Sequence, residues 1–480
     1  MKRIILISAI LIFRLETFAQ TCSCADVLGQ VIWKTENDYV GYIHKVKEKD
    51  STSYVALKKQ LIGQAANTTF KNCYGLMEKY VEFFHDGHLY IGEFPPKQPD
   101  SVKNTVMRYA VPDNFEATLG KSRNEDAIEG IWRAADNVQL AIIKIAKNKF
   151  NGVIQKTGAP GWESGMVKME IEKAGDNKYN VVYYRNDFAR IHFSGEQISK
   201  NVIFAFGVYR FAKVFPANPE INYIDPGDPQ LPTLRTLDKN TVLLTVPSAL
   251  IDGAVLNRLL TSNKPLIEST PNLIIDVRSN GGGNYIWGGI YEIANTLVKE
   301  KPRASAEDDF LLLASEDDAR YIYNLGSFYR QKKDSAAIKY YDDVVARIRN
   351  STGKITGFSF YSSGPDTSTR KVYQNPKRIA VIIDKAVASA GEAFISGLKE
   401  TSSKVTLYGT NTFGMIDYMN VNTLPVGDKA CNWYYFGYPT FFSKDIKTKP
   451  LNPTGIKPDI YIPANTPDWI TWVKDDLEKK

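Results

Sequence analysis

The chain has 480 residues, 43% of them hydrophobic, and a formal net charge of +7. That length accommodates roughly three domains, and the composition excludes a disordered or fibrous chain. Its Lys and Arg residues are scattered rather than clustered, which argues against a nucleic-acid surface.

At the N-terminus, Lys2 and Arg3 precede an apolar run from Ile4 to Phe13, and Thr17-Phe18-Ala19 offers a small-x-small cleavage site. This pattern predicts a secretory signal peptide over residues 1–19, too short to span a membrane as a helix. No later run reaches the length of a spanning helix. The expectation is an exported, soluble protein, periplasmic or extracellular. The cysteines are Cys22, Cys24, Cys73 and Cys431. An even count in an exported chain points to disulfides. Pairing Cys73 with Cys24 or Cys22 would tie the mature N-terminus to the helix after Cys73, whereas a single bridge would leave two buried thiols. Ala19-Gln20-Thr21 is a poor lipobox for lipid attachment at Cys22. No metal site is expected, because no second close Cys or His pair accompanies Cys22 and Cys24.

Residues 20–115 read as an N-terminal helical domain. Tyr74, Met77, Tyr80, Val81 and Phe84 recur at helical spacing and end at His85-Asp86-Gly87-His88, before a short strand at Leu89-Tyr90-Ile91. Residues 123–215 read as a small antiparallel β domain, barrel or sandwich, with strands at Gly130–Trp132, Val138–Ile145, Gly152–Ile154, Met166–Ile171, Tyr179–Tyr184 and Val202–Phe206. Residues 216–235 are rich in Pro, Asp and Gly and read as a linker. From 236 to 480 the pattern is alternating strand and helix, the mark of an α/β domain. Its strands fall at Val242–Val246, Leu273–Asp276, Ile379–Ile383, Lys404–Tyr408 and Ile460–Ile462, with helices at Leu250–Thr261 and Ile286–Val298 and a charged helical insertion at 306–350. The whole is a multidomain α+β chain.

Two stretches carry chemistry. In Arg378–Leu398 a buried strand turns into a helix, with Ser389 at its head and Ala390, Ala393, Phe394 and Gly397 at helical spacing. A hydroxyl there lies beside free N–H groups and the positive end of the helix dipole, a good place for an attacking oxygen and the oxyanion it creates. The second stretch is Asp276-Val277-Arg278-Ser279-Asn280-Gly281-Gly282-Gly283, again after a buried strand. Its glycines let backbone N–H groups approach a bound group closely. The loop lacks the Gly-Lys-Ser/Thr ending and the GxGxxG spacing of nucleotide loops. It reads as half of an oxyanion hole or as a plain tight turn.

Together, Asp276–Gly283, Ser389-Ala390-Gly391-Glu392, Thr412-Phe413-Gly414 and Gly455-Ile456-Lys457-Pro458-Asp459 resemble the C-terminal processing (tail-specific) serine peptidases, in a superfamily that includes the tricorn core. The resemblance covers roughly residues 236–465 and, more weakly, the helical region ending at Asp86-Gly87-His88. It implies a crotonase-like ββα-superhelix catalytic domain, with the N-terminal helical region and the β domain outside it. It also implies peptide-bond hydrolysis through an acyl-enzyme, with a polypeptide substrate and no cofactor. Carried over by position, Ser389 is the nucleophile, and the N–H groups of Gly282 and Ala390 form the oxyanion hole.

The departures concern the base. In the processing branch a lysine follows Thr-Phe-Gly, but Met415 stands here, and a thioether cannot take the serine proton. The tricorn-like branch uses a histidine in a Ser-His pair, and here Gly87-His88 stands in that place. His88 is a suitable base near neutral pH. That branch carries a glutamate near Gly455, where this chain has Asn452, so Asp417 and Asp86 are further candidates to orient His88. Lys385 is an alternative base, although a solvent-facing side chain is the plainer reading. Glu392 is read as an anchor for its helix, and Asp276 with Arg278 as a brace for the Gly-rich loop. No Gly-Leu-Gly-Phe-type loop marks a PDZ module, and the β domain occupies that slot as a gate or a spacer. The leading expectation is an exported serine endopeptidase acting near polypeptide C-termini. The alternative is a non-catalytic descendant that binds peptides or apolar ligands.

Overall fold

The computed structural model describes residues 22–119, 121, 128–134, 138–199, 202–205, 209–216, 231–250, 253–283, 310–361, 374–428, 431 and 433–479. The expected signal peptide, the helix at Ile286–Val298 and most of the linker lie outside the described residues.

The α/β part is built on a six-stranded sheet in the order β10 (Thr233–Asp238), β11 (Thr241–Thr245), β12 (Asn272–Asp276), β15 (Arg378–Ile383), β16 (Val405–Gly409) and β19 (Ile460–Tyr461). Strands β11 to β19 are parallel and β10 is antiparallel to β11. The central strands β11, β12 and β15 read as apolar runs because both of their faces are covered, whereas the edge strand β10 is polar and largely exposed. Leu244, Ile275, Val381 and Leu407 face a core shared with helices α4 (Gly253–Ser262) and α7 (Ala390–Thr401). Leu243, Ile274, Ala380 and Ile382 face the other way, against Val473 and Leu477 of the C-terminal helix α8 (Trp469–Lys479). β10 begins inside the stretch read as linker, because Leu234 packs against this sheet and the strand pairs with β11.

A second, antiparallel sheet runs in the order β1 (Tyr90–Glu93), β18 (Tyr434–Ser443), β13 (Phe310–Leu313) and β14 (Ile355–Phe358), with β17 (Tyr418–Val426) also paired to β18. The N-terminal helices α1 (Cys24–Asn37), α2 (Ser51–Ala65) and α3 (Tyr74–Glu82) share one core with Tyr418, Val426, Tyr434, Phe436 and Tyr438 of this sheet. They close no core of their own. The insertion helices α5 (Glu316–Leu325) and α6 (Ser335–Asn350) pack on the same sheet through Ile322, Tyr341 and Ile348 against Phe358 and Phe441.

Residues 130–215 form a closed antiparallel barrel of eight strands, β2 to β9: Gly130–Ala134, Gln139–Ala146, Lys149–Lys156, Val167–Gly175, Lys178–Tyr184, Arg190–Ser199, Val202–Ala205 and Tyr209–Phe215. Alternation divides its residues. Trp132, Leu140, Ile142, Phe150, Ile154 and Phe193 belong to one cluster, whereas Ile131, Ala141, Ile143, Val153 and Val167 pack with Phe115 and Leu119. The barrel meets the rest of the chain where His192 Nδ1 lies 2.8 Å from Glu93 Oε2 and stacks on Tyr74.

Both cystines involve the N-terminal segment. Cys24 pairs with Cys73, joining α1 to the head of α3, and Cys22 pairs with Cys431 in the β17–β18 connection. No free cysteine remains. Among the described residues no helix is long and apolar enough to cross a membrane, and no cluster of His, Cys, Asp and Glu could hold a metal.

Candidate active site

Parallel pairing of β12 and β15 brings their C-terminal ends together, with Asp276 opposite Ile382, so the two motif loops leave the sheet side by side. Asp384 Oδ1 accepts from the amides of Ser279 and Ala386, at 3.2 and 3.0 Å, and Ala388 N donates to Asn280 O at 3.0 Å. Within the Gly-rich loop, Arg278 donates to both carboxylate oxygens of Asp276 at 2.9 and 2.8 Å, a two-pronged brace. Gly391 must lack a side chain, since a Cβ there would lie 2.7 Å from Asn280 O.

Ser389 ends the turn into α7 with φ 53° and ψ −120°, backbone angles an L residue rarely adopts. Its amide donates to Glu392 Oε2 at 3.1 Å. Glu392, fully buried, also accepts from Thr412 Oγ1 at 2.5 Å and from the amides of Gly414 and Met415, each at 2.8 Å. Burial pushes this carboxyl above its ordinary value, and the four donors work against that shift. Glu392 therefore anchors the 412–415 loop as well as its own helix.

His88 follows α3 through a turn in which His85 has φ 45°, and it leads directly into β1. Its ring is buried between two oxygens: Nδ1 lies 2.6 Å from the Tyr418 carbonyl and Nε2 lies 3.0 Å from Ser389 Oγ. A carbonyl only accepts, so Nδ1 carries the proton and Nε2 presents a lone pair to the serine hydroxyl. Burial lowers the imidazole's affinity for protons, partly offset by the charge of Asp86 and by the Tyr418 carbonyl.

The remaining candidates occupy other positions. Asp417 does not bond to His88; its carboxylate accepts from Leu451 and Asn452 amides at 2.9 to 3.0 Å. Asn452 Oδ1 in turn accepts from the amides of Ile416 and Asp417, at 2.9 and 3.1 Å. This reciprocal lock fixes the segment that presents the Tyr418 carbonyl. Asp86 accepts from the main-chain amide of His88 at 3.0 Å. Lys385 does not point to solvent; its ammonium donates to the carbonyls of Phe413 and Thr412, at 3.0 and 3.3 Å. Gly282 lies against the serine, where a Cβ would be 2.8 Å from Ser389 Cβ and 3.0 Å from Ala390 N, but its own N–H donates to Asn280 Oδ1 at 3.1 Å. Sequence reasoning missed the Tyr418 carbonyl, because a main-chain acceptor has no residue signature. The tight fit of Met415 against Gly87, where a Cβ would lie 2.6 Å from the sulfur, was visible only as two departures from the family pattern.

A hydroxyl on a strand-to-helix turn, an imidazole lone pair against it and a Gly-rich loop alongside define the class of serine-type peptidases. Residues 243–462 match the model of peptidase family S41. No curated protein matches the chain. Among solved structures it is similar to mature CPAF, at 12% identity with TM-score 0.49, covering 95% of this chain and 97% of that one. It is similar to the photosystem II D1 C-terminal processing protease, at 13% identity with TM-score 0.39 and coverage of 92% and 93%. The tricorn protease is similar at 12% identity with TM-score 0.36, over 95% of this chain and 37% of that one.

Proposed function

We propose that the chain is an exported serine endopeptidase in which Ser389 is the nucleophile and His88 the general base. The observation that carries this reading is the 3.0 Å contact between His88 Nε2 and Ser389 Oγ, with Nδ1 engaged by a carbonyl. Ser389 Oγ attacks the scissile carbonyl carbon while its proton passes to His88 Nε2. The N–H of Ala390, at the head of α7, and that of Gly282, on release from Asn280, receive the developing oxyanion. His88 then hands the proton to the leaving amine. Water, deprotonated by the same nitrogen, cleaves the acyl-enzyme and frees Ser389. The catalytic domain is read as crotonase-like on the strength of the motif order.

Export is supported by the basic-then-apolar N-terminus and by two cystines. A preference for cutting near C-termini rests on the tail-specific motif set, and equal cleavage of peptides with free and amidated C-termini would remove it.

The deciding experiment is labelling with a fluorophosphonate probe. The wild-type protein takes up the label at Ser389, and Ser389→Ala and His88→Ala, with unchanged circular dichroism, do not. A folded wild-type protein that stays unlabelled, or a labelled Ser389→Ala protein, rejects the assignment.

A further inference from the structure

His88 lacks the carboxylate that usually completes a serine–histidine pair: the ring nitrogen away from Ser389 meets a neutral carbonyl. A carbonyl fixes the tautomer and orientation, yet it brings no net charge to balance the imidazolium that forms during attack. A buried carboxylate stands nearby on a different attachment. The Asp86 side chain is fully buried, and its Oδ1 accepts from the His88 main-chain amide at 3.0 Å. Its Oδ2 accepts from the Tyr39 hydroxyl at 2.6 Å. Burial, and then the Asp86 charge, push the Tyr39 phenol well above its ordinary value, so it stays a donor.

The groups around this carboxylate come from three segments. Tyr39 follows the end of α1. Lys45 lies on the π-helical turn Ile43–Lys47, with its ammonium 3.9 Å from Asp86 Oδ2. The same ammonium donates to the Phe84 carbonyl at 2.6 Å and sits 4.7 Å from the centre of the Tyr418 ring. Asp417 and Tyr418, at the start of β17, complete the set: the Asp86 charge acts on both. Lys45 thus clasps the end of α3, the Asp86 carboxylate and the residue whose carbonyl holds His88.

The geometry points to Asp86 as a positioning residue that divides the work of a triad's acid with the Tyr418 carbonyl. The carbonyl orients the ring. Asp86, held by Tyr39 and Lys45, fixes the His88 main chain and supplies the negative charge that steadies the imidazolium without touching the ring. The electrostatics agree, since the Asp86 charge opposes the fall in His88 basicity caused by burial. The inference rests on His88 being the base.

The test measures the rate of fluorophosphonate labelling against pH in the full chain. Asp86→Asn keeps the shape and removes the charge. His88 then loses a group that favours its protonated form, so it stays unprotonated to lower pH. The acid limb of the profile moves about half a pH unit or more downward, and the plateau rate falls severalfold. Tyr39→Phe keeps the charge and removes one donor, so the acid limb stays in place while the plateau falls. This milder variant decides the matter if Asp86→Asn does not fold. A folded Asp86→Asn protein with the wild-type limb overturns the proposal, as does a Tyr39→Phe protein that labels at the wild-type rate. An unlabelled wild-type protein rejects the assignment of Ser389 and His88 instead, which keeps the two failures apart.

Discussion

At Ser389 the backbone carries strain that its neighbours impose. The angles φ 53° and ψ −120° cost an L residue on the order of 1–3 kcal/mol. They persist because Asp384, Asn280 and Glu392 each pin a main-chain amide between 386 and 389. Removing the side chain altogether relieves this strain, whereas shortening it does not. Ser389→Gly is therefore expected to be about 1 kcal/mol more stable than Ser389→Ala, although neither takes up the label. Denaturant unfolding of the two variants checks this, and equal midpoints would show that the turn stores no strain. The residue types of the site were legible in sequence because each obeys a local rule: a serine after a buried strand, glycines where backbones touch, and a histidine at the end of an amphipathic helix. What joins them was not legible. The Tyr418 carbonyl and the Tyr39 hydroxyl reach His88 and Asp86 only through tertiary folding.

The element that organises the site is the α7 N-terminus with the loop it holds. Glu392 satisfies four donors from two segments, so the Ser389 turn and the 412–415 loop are fixed by one side chain. Replacing it with glutamine keeps the size but turns one acceptor into a donor facing backbone N–H groups. Glu392→Gln is expected to lose about 1–3 kcal/mol of stability and to label more slowly, with no change in the position of the acid limb. Thermal melts and the same labelling assay measure both, and a variant with wild-type melting would show that the clamp is dispensable. The strands of the parallel sheet could be read directly, because burial on both faces makes each an apolar run. In the second sheet β1 is legible as the short strand at Leu89–Ile91, but the long strands β17 and β18 escaped sequence reading for the opposite reason. β17 mixes Asn, Thr and Pro with apolar residues, and β18 carries Gly437 and Pro439 within an aromatic run, so neither shows the alternation of a half-exposed strand.

On the scale of the molecule, the N-terminal helices and the 306–350 insertion, which look separable in sequence, rest on the same antiparallel sheet and touch each other through charged groups. Asp38, just past α1, faces Asp317 and Asp318 in the first turn of α5. Lys34 and Arg320 both pair with Asp317, and Tyr438 donates to Asp318 Oδ1 at 2.9 Å. Among the described residues, Asp38 Oδ2 and Asp318 Oδ2 are buried without a hydrogen-bond partner, which favours a proton on this pair. Burial, and then the Asp317 charge, push the Asp38 carboxyl from 3.8 up to about 7. The folded-state value is the higher one, so the stabilising proton is fully in place below the unfolded value and is lost as pH rises through about 7. The docking of α1 on α5 should thus weaken between pH 5 and pH 8. Asp38→Asn replaces the titrating proton with a permanent amide donor and removes the charge that forms at high pH. The variant is expected to be more stable than wild type at pH 8, by about 1 kcal/mol or more, with the gain shrinking toward pH 5. Denaturant unfolding at the two pH values measures it. Parallel pH dependences in wild type and variant would mean that Asp38 does not titrate in this range. A stability gain confined to high pH would place the proton at the contact between the N-terminal helices and the insertion.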